Sequence, residues 1–298
     1  MGGSHRDEVD SCNTLRKNEK LLRRCGSVKE ALELLPSLID HPSLLSGESM
    51  ELLGVTEHDR PIYSFKNLPD TCFFIPGFLS NTESMELSHS IVRGFIDSPP
   101  HSNSLSYDSR KIGLWKGYLR DPSDLSCAMN HLRWSCVGYH YDWGERSYNR
   151  GYQSHFPKEF THVYEKVLNS INRVWGRSVL SGNPESAIIN FYHSHRVSDR
   201  LGGHRDDVEE TDSSPLVSIS LGRTGVFLIE DQAVCLRSGD VVVMARNARQ
   251  SLHGIPVVFP PEQNQIIGSV ESIDQTWKEQ ITSFLSKTRI SISIRQVY

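Results

Sequence analysis

His204, Asp206 and His253 are the residues of this 298-residue chain whose types and spacing could do chemistry. Two imidazoles and one carboxylate are the ligand set of a facial iron(II) centre, which leaves part of the coordination sphere open to reactants. A structural zinc site would normally be closed by four ligands. Residues two apart on a strand point the same way, so His204 and Asp206 can address one ion while Arg205 turns outward. Gly202 and Gly203, just before them, permit close approach of another segment. His253 follows Asp206 by 47 residues, room for several strands, so the third ligand can return from across a sheet. A lone His-x-Asp is an ordinary surface pair. What sets this one apart is the distant histidine together with Arg289 and Arg295.

Those arginines bracket the run Arg289-Ile290-Ser291-Ile292-Ser293-Ile294-Arg295, which alternates without a break. One face is isoleucine; the other is Arg, Ser, Ser, Arg. An edge strand with its polar side to solvent would alternate in the same way. Arginine also offers a planar fork for a carboxylate. A dicarboxylate such as 2-oxoglutarate could give one carboxylate to that fork and chelate iron with the other and its keto oxygen. Asn190 and Tyr192 share a face on another apolar run and could donate hydrogen bonds to the same ligand.

Several look-alikes are set aside. Asp207 also follows His204, but at i+3 it falls on the opposite strand face. His193-Ser194-His195 has ligand-like spacing without a well-placed carboxylate and reads as loop. His204-Arg205-Asp206 matches the kinase catalytic triplet, but no Asp-Phe-Gly or glycine-rich loop accompanies it.

The elements that must position these groups follow from periodicity. Runs at 187–192, 216–221, 225–229, 234–236, 240–245 and 252–255 are short and β-prone, separated by Gly, Asp and Ser turns. Many short strands with few intervening helices imply a sandwich or jelly roll. A helix interrupts them, with Ser272-Ile273-Asp274-Gln275 as its capping box and Trp277, Ile281 and Leu285 as its inner face. The last strand runs over 288–297. Upstream, residues 71–75 read as a buried strand and Asn81 or Thr82 caps a helix reaching about residue 95. Residues 98–110 read as a flexible loop, 121–130 as a short helix, 133–141 as a strand and 157–175 as a helix. Near the N-terminus, residues 1–12 read as disordered and 14–39 as one helical stretch limited by Pro36 and Pro42. The fold class is therefore α+β. Its divisions are a helical and flexible extension over 1–70, a substrate-recognition region over 71–185 continuous with the core, and a jelly-roll core over 186–298.

The net charge of -4 argues against a globally basic nucleic-acid coat. Six scattered cysteines form no C-x-x-C pair and read as reduced thiols of an intracellular protein. No apolar run approaches the roughly 20 residues that cross a bilayer. The first residues lack a signal core, and Arg6 breaks the myristoylation pattern. We expect a nuclear and cytoplasmic protein; the basic stretch from Arg16 to Arg24 leaves the mitochondrion open.

The ordered runs Ile189 to Tyr192, Leu201 to Asp206, Pro215 to Gly222, Ser238 to Met244, Leu252 to Ile255 and Arg289 to Arg295 resemble the AlkB family of Fe(II)/2-oxoglutarate dioxygenases. Leu132-Arg133-Trp134, Val137 to Trp143 and Lys287-Thr288-Arg289 are similar to the first AlkB homologue group of eukaryotes. The likeness spans residues from about Phe73 to the C-terminus. It implies a double-stranded β-helix with N-terminal helices packed outside, iron on His204, Asp206 and His253, and 2-oxoglutarate at Asn190, Phe191, Tyr192, Arg289, Ser291 and Arg295. Glu230-Asp231-Gln232 stands where relatives often carry a glycine-rich turn and a longer hairpin, which leaves the hairpin length open.

The resemblance further implies a monomer that consumes O2 and oxidatively demethylates bases of nucleic acid, transfer RNA ahead of DNA, releasing succinate, CO2 and formaldehyde. A protein (histone) side-chain demethylase or hydroxylase on the same iron, or a non-catalytic nucleic-acid binder, are the competing readings. A base must leave its stack to reach such a site. Trp115, Tyr139, His140, Tyr141 and Trp143 are the candidates to receive it. Residues 110–150 hold seven basic and four acidic groups, a local excess of +3 that could face phosphates.

Overall fold

Ile290, Ile292 and Ile294 are fully buried under helices, while Ser291 and Ser293 on the other side of the same strand line a cavity. That one alternation fixes which side of the main sheet is core and which is site. The structure, a computed structural model, describes residues 3–40, 49–56, 59–69, 71–96, 101–102, 113–196, 198–211, 213–260 and 274–298.

In chain order the elements are α1 (Gly3–Leu22), α2 (Val28–Leu34), β1 (Leu38–Ile39), β2 (Met50–Val55), β3 (Pro61–Phe65), β4 (Cys72–Ile75) and α3 (Asn81–Ser90), which runs into a π-turn (Ile91–Phe95). Next come β5 (His101–Ser102), α4 (Leu114–Arg120), α5 (Ala128–His131), β6 (Trp134–Asp142), β7 (Ser147–Gln153), α6 (Lys158–Trp175), β8 (Ser186–His193) and β9 (Leu201–His204). The chain ends with β10 (Leu216–Gly222), β11 (Gly225–Ile229), β12 (Gln232–Leu236), β13 (Val241–Met244), a 3-10 turn (Arg246–Gln250), β14 (His253–Val258), α7 (Gln275–Lys287) and β15 (Thr288–Arg295).

Two sheets stack as the expected jelly roll. The smaller runs β1-β12-β11-β14-β9; the larger runs β2-β3-β4-β13-β10-β15-β8-β6-β5, with β7 paired to β6. Tyr192, Phe227, Leu236 and Ile255 pack between the sheets. Outside the large sheet, Phe160, Ile171, Ile281 and Phe284 press α6 and α7 onto Ile189 and Ile292. Outside the small sheet, Leu15, Leu22 and Ala31 of α1 and α2 cover Val226 and Leu228. β15 lies between β10 and β8, so it is a central strand and the edge-strand reading is ruled out.

Several boundaries differ from expectation. The first helix begins at Gly3, not after residue 12, and the stretch 14–39 is two helices and a strand. Ser27 caps α2 by accepting from the Glu30 backbone at 3.2 Å, and Ile39 pairs in parallel with Val234. Ser80, not Asn81 or Thr82, caps α3, in a reciprocal box with Glu83. The helix read over 121–130 breaks up, because Asp121 and Asp124 accept from the backbone of Ser123 and Ser126 at 2.9 and 2.8 Å and so hold turns. Within the stretch read as a loop over 98–110, His101–Ser102 forms β5; the remainder lies outside the described residues. Ser272 and Ile273 also lie outside them; Asp274 caps α7 from its own side chain. All six cysteines are free thiols. No helix among the described residues is long and apolar enough to cross a membrane.

Candidate active site

His204 and His253 are direct partners across β9 and β14. This is how two histidines far apart in sequence come to lie with ring centroids 4.4 Å apart. The close strands depend on small residues: a Cβ on Gly254 would lie 2.7 Å from the Leu201 carbonyl oxygen, and one on Gly203 would lie 2.6 Å from Leu15 of α1. Glu19 of the same helix accepts from the Gly203 backbone at 2.7 Å and pins the strand one residue before the first ligand.

Each imidazole is aimed by its own backbone. Nδ1 of His204 lies 3.0 Å from the Gly202 carbonyl oxygen, and Nδ1 of His253 lies 3.0 Å from that of Ser251. A carbonyl can only accept, so the proton sits on Nδ1 and Nε2 presents its lone pair. The two Nε2 atoms lie 3.8 and 3.7 Å from the carboxylate oxygens of Asp206. Ligands that each bind one ion at about 2.1 Å lie within about 4.2 Å of each other, and both separations fall inside that limit. The whole set spans no more than 4.8 Å. Burial, then the neighbouring His204, pushes His253 down to about 4, so it is a neutral donor at ordinary pH.

Burial alone would raise Asp206, but the Arg295 guanidinium at 3.2 Å, with both histidines, holds it well below the usual carboxylate range. Arg295 also donates to Glu209 at 2.8 Å, and Glu209 accepts from Arg249 at 2.8 Å. Glu209 and Arg249 have fully buried side chains. Arg249 reaches back to the Asp206 carbonyl at 3.2 Å, closing the network. Sequence reasoning missed both residues. Glu209 sits in Asp206-Asp207-Val208-Glu209-Glu210, which reads as a solvated acidic stretch. The stretch in fact splits: Asp206 and Glu209 turn inward, while Asp207 and Glu210 face Arg146 at 3.9 Å and Arg150 at 3.1 Å. The i, i+3 spacing of the acids was the available signal. Arg205 donates from Nε to the Gln250 carbonyl at 2.7 Å in an exposed hydrogen bond, and it is among the residues that line the cavity.

A cavity of about 330 Å³ runs from the three ligands into the barrel. Asn190, Ser291 and Arg295 line it beside apolar Phe227, Leu236 and Ile255. Arg289 and Tyr192 are not on that wall. They face each other in register on β15 and β8, buried at the inner end of the barrel. Arg289 donates to Ser220 Oγ at 2.9 Å, but its Nε and the Tyr192 hydroxyl are both buried without a partner. Such unspent donors beyond the slot fit a dicarboxylate whose far end reaches them. The Phe191 side chain does not fit: it points to the opposite side of β8, into the core under the helices. The pair His193-Ser194-His195 is not loop throughout. His193 ends β8, buried, with Nε2 2.7 Å from the Leu132 carbonyl and Nδ1 3.2 Å from Thr288 Oγ1.

A family model described as the 2OG-Fe(II) oxygenase superfamily matches residues 71–295. The chain belongs to that superfamily. It is 31% identical to the Arabidopsis thaliana protein named DNA N(6)-methyladenine demethylase ALKBH1A, over 80% of this chain and 78% of the relative. It is 26% identical to the Schizosaccharomyces pombe protein named tRNA demethylase abh1, over 97% of each. A solved structure described as that of OsALKBH1 shares the fold, with a TM-score of 0.53 at 24% identity, covering 78% of this chain and 99% of that one. The expected likeness to AlkB-type oxygenases therefore holds. The superfamily works with Fe(II) and 2-oxoglutarate, and the His-Asp-His set with its buried arginines fits both.

The oxygenase sorts its expected aromatic residues into two groups. Tyr141 and Trp143 line the cavity beside Tyr148, with ring centroids 4.8 Å apart and nearly perpendicular. Trp115 does not: it is 4% exposed and packs on Tyr118 and Phe284 beneath α7. Tyr139 turns to Tyr298, and His140 is buried against Ser154 Oγ at 2.9 Å and Tyr152. The cause is local. Gly138 has φ of 74°, and the pairing of β6 with β7 shifts register between Tyr139 and Tyr141. At Gly138 the strand leaves β8 for β7, so simple alternation fails there. The seven basic groups do not form one patch. Arg110 and Lys111 lie outside the described residues, Arg133 pairs with Asp199 at 3.8 Å, and Lys116 and Arg120 belong to α4, off the cavity. Arg146 and Arg150 remain on the hairpin.

Proposed function

We propose that this oxygenase removes methyl groups from nitrogen atoms of nucleic-acid bases, with transfer RNA as first substrate and DNA as second. The observation that carries this reading is the continuity of one cavity from the three ligand side chains to the wall of Tyr141, Trp143 and Tyr148. Relatives named for demethylating DNA N(6)-methyladenine and tRNA support it.

When bound, iron with 2-oxoglutarate supplies oxygen activation coupled to decarboxylation of the cosubstrate to succinate. The chain does the rest. His204 and His253 present Nε2 because their Nδ1 protons are committed to backbone carbonyls. Arg295 keeps Asp206 ionised, so the site holds two neutral donors and one negative one. Asn190, Ser291 and Arg295 orient the cosubstrate, and Arg289 with Tyr192 receives its far carboxylate. Phe227, Leu236 and Ile255 keep the slot dry. An unstacked base costs a few kcal/mol to present, and stacking on Tyr141 and Trp143 returns about 1–3 kcal/mol. A methyl group hydroxylated there leaves as formaldehyde when its C–N bond breaks.

The test is incubation of the full chain with Fe(II), 2-oxoglutarate and total RNA or DNA, followed by mass spectrometry of nucleosides. Loss of a methylated nucleoside with stoichiometric formaldehyde is expected. Release from methylated histone peptides and not from nucleic acid would transfer the activity to protein. Binding without iron-dependent succinate would leave only a nucleic-acid binder.

A further inference from the structure

The two ligand histidines share an arrangement that three ligands by themselves do not require. The peptide group joining Gly202 to Gly203 accepts from Nδ1 of His204 through its carbonyl at 3.0 Å, and its N–H donates to the Glu19 carboxylate at 2.7 Å. The peptide group joining Ser251 to Leu252 does the same for the other ligand. Its carbonyl accepts from Nδ1 of His253 at 3.0 Å, and its N–H donates to Glu230 Oε1 at 2.6 Å. The two carboxylates come from unrelated elements. Glu19 lies on α1, ahead of the residues 71–295 that the family model matches, and its other oxygen is held by Arg23 at 3.2 Å. Glu230 opens the turn between β11 and β12, where Ile229 pairs with Gln232. Its φ of 50° is in the left-handed region that favours glycine. A glycine would take that backbone without strain but would bring no carboxylate to Leu252.

Hydrogen bonds in a chain polarise one another. An anion that accepts from a peptide N–H makes the carbonyl of that peptide a stronger acceptor. The carbonyl then holds the imidazole Nδ1 proton more firmly, and Nε2 becomes a better electron-pair donor to a metal. A carboxylate bonded directly to a ligand histidine raises its basicity in this way; here a peptide group stands between the two. We propose that Glu19 and Glu230 are paired positioning residues of the iron centre, each acting on one ligand histidine through the intervening peptide group. Neither lines the cavity, so neither meets cosubstrate or substrate there. The charge around the centre gives them a role. Asp206, its one anionic ligand, is shared with Arg295 at 3.2 Å, which draws negative charge away from the metal position. The two outer carboxylates return some of it by way of the neutral ligands. The same three-part chain occurs once for each histidine, with an N–H one residue before the ligand in both cases. The inference concerns the hold on the metal and is independent of what the centre oxidises.

The test uses metal-free full-length protein titrated with Mn(II), an air-stable stand-in for ferrous iron, by calorimetry. Glu19→Gln and Glu230→Gln each keep an oxygen that accepts from the peptide N–H and remove only the charge. Each is expected to weaken Mn(II) binding about tenfold, and the two together more, while the thermal midpoint of the metal-free protein stays near that of the unaltered chain. Excess Fe(II) should then restore succinate formation. Glu86→Gln, exposed on α3, removes the same charge elsewhere and should leave Mn(II) affinity unchanged. A spectroscopic reading separates this role from packing. In Zn(II)-loaded protein, the Nδ1 proton resonance of His204 should move upfield in Glu19→Gln and that of His253 in Glu230→Gln, each without the other. Should one variant fail to fold, the other, on a separate element, must show the effect alone. Unaltered Mn(II) affinity in a folded variant overturns the proposal, as do ring-proton resonances that stay in place. So does turnover that no excess of Fe(II) restores, or an equal loss in Glu86→Gln, which would reduce the effect to net charge.

Discussion

Around Asp206 every charge is answered inside the protein: Arg295 bridges it to Glu209, and Glu209 holds Arg249, whose side chain is completely buried. Across the same cavity, the β6–β7 hairpin carries its charges in water. Arg146 meets Asp207 at 3.9 Å with both side chains about half exposed or more, and Arg150 meets Glu210 at 3.1 Å in the same condition. Both regions draw on one five-residue stretch, which sends Asp206 and Glu209 inward and Asp207 and Glu210 outward. Exposed pairs are worth roughly 0–1 kcal/mol, whereas stripping one partner from a buried pair costs roughly 3–5 kcal/mol. The ligand geometry is thus held hard and the recognition wall softly. On the proposed reading, a hairpin tethered by weak pairs can adjust to a nucleic-acid substrate without disturbing the centre it serves.

The most severe way to break the comparison is Asp206→Ala, which is expected to reduce iron-dependent succinate formation to the iron-free blank with the circular dichroism spectrum retained. Appreciable turnover in that variant would remove Asp206 from the ligand set. Glu209→Gln comes next. It leaves Arg249 buried without its counter-charge, and denaturant unfolding should show a loss of about 3–5 kcal/mol. The double change Glu209→Leu with Arg249→Met should recover most of it; a loss under 1 kcal/mol in the single variant would contradict a tightly held network.

Smaller effects belong to the hairpin and to protons. Tyr141→Ala or Trp143→Ala should weaken binding of a methylated oligonucleotide by about 1–3 kcal/mol per lost stack, leaving 2-oxoglutarate affinity intact. Trp115→Phe, beneath α7, should leave oligonucleotide binding unchanged, which separates cavity aromatics from core aromatics. On the core side, burial pushes both His193 and His253 down to about 4. Between pH 6.5 and about 4 the unfolded chain binds protons that these native histidines refuse, so stability falls as pH falls. The slope should reach about 1.4 kcal/mol per pH unit for each histidine, read from urea midpoints of metal-free protein. A flat profile over that window would mean these rings are accessible to protons. Least of all, Arg146→Gln should change stability by under about 1 kcal/mol, an effect that disappears in high salt.

Much of the centre was legible because its signals are local. Ligand types, the His-x-Asp spacing and the alternation of β15 depend on chemistry and on a repeat of two, and all can be read along the chain. Glu209 was not, because an acid in a run of acids looks solvated until Arg249 and Arg295 arrive from other elements. Tyr139, His140 and Tyr141 could not be sorted either, because the shift in pairing beyond Gly138 reverses the faces that alternation assigns. Trp115 needed α7 to cover it. The N-terminal stretch carried little pattern of its own, yet Glu19 fastens the strand that bears His204.

The order of residues by itself settled the identity of the donors, the parity of the strand that carries the arginines and the presence of small residues where strands crowd. Those properties reside in side-chain chemistry and nearest-neighbour backbone geometry. Only the folded arrangement decided which acids turn inward, which aromatic rings meet the cavity and which arginines stay without a counter-charge. Those outcomes depend on register and on contacts between segments dozens of residues apart, where burial sets the strength of each charge.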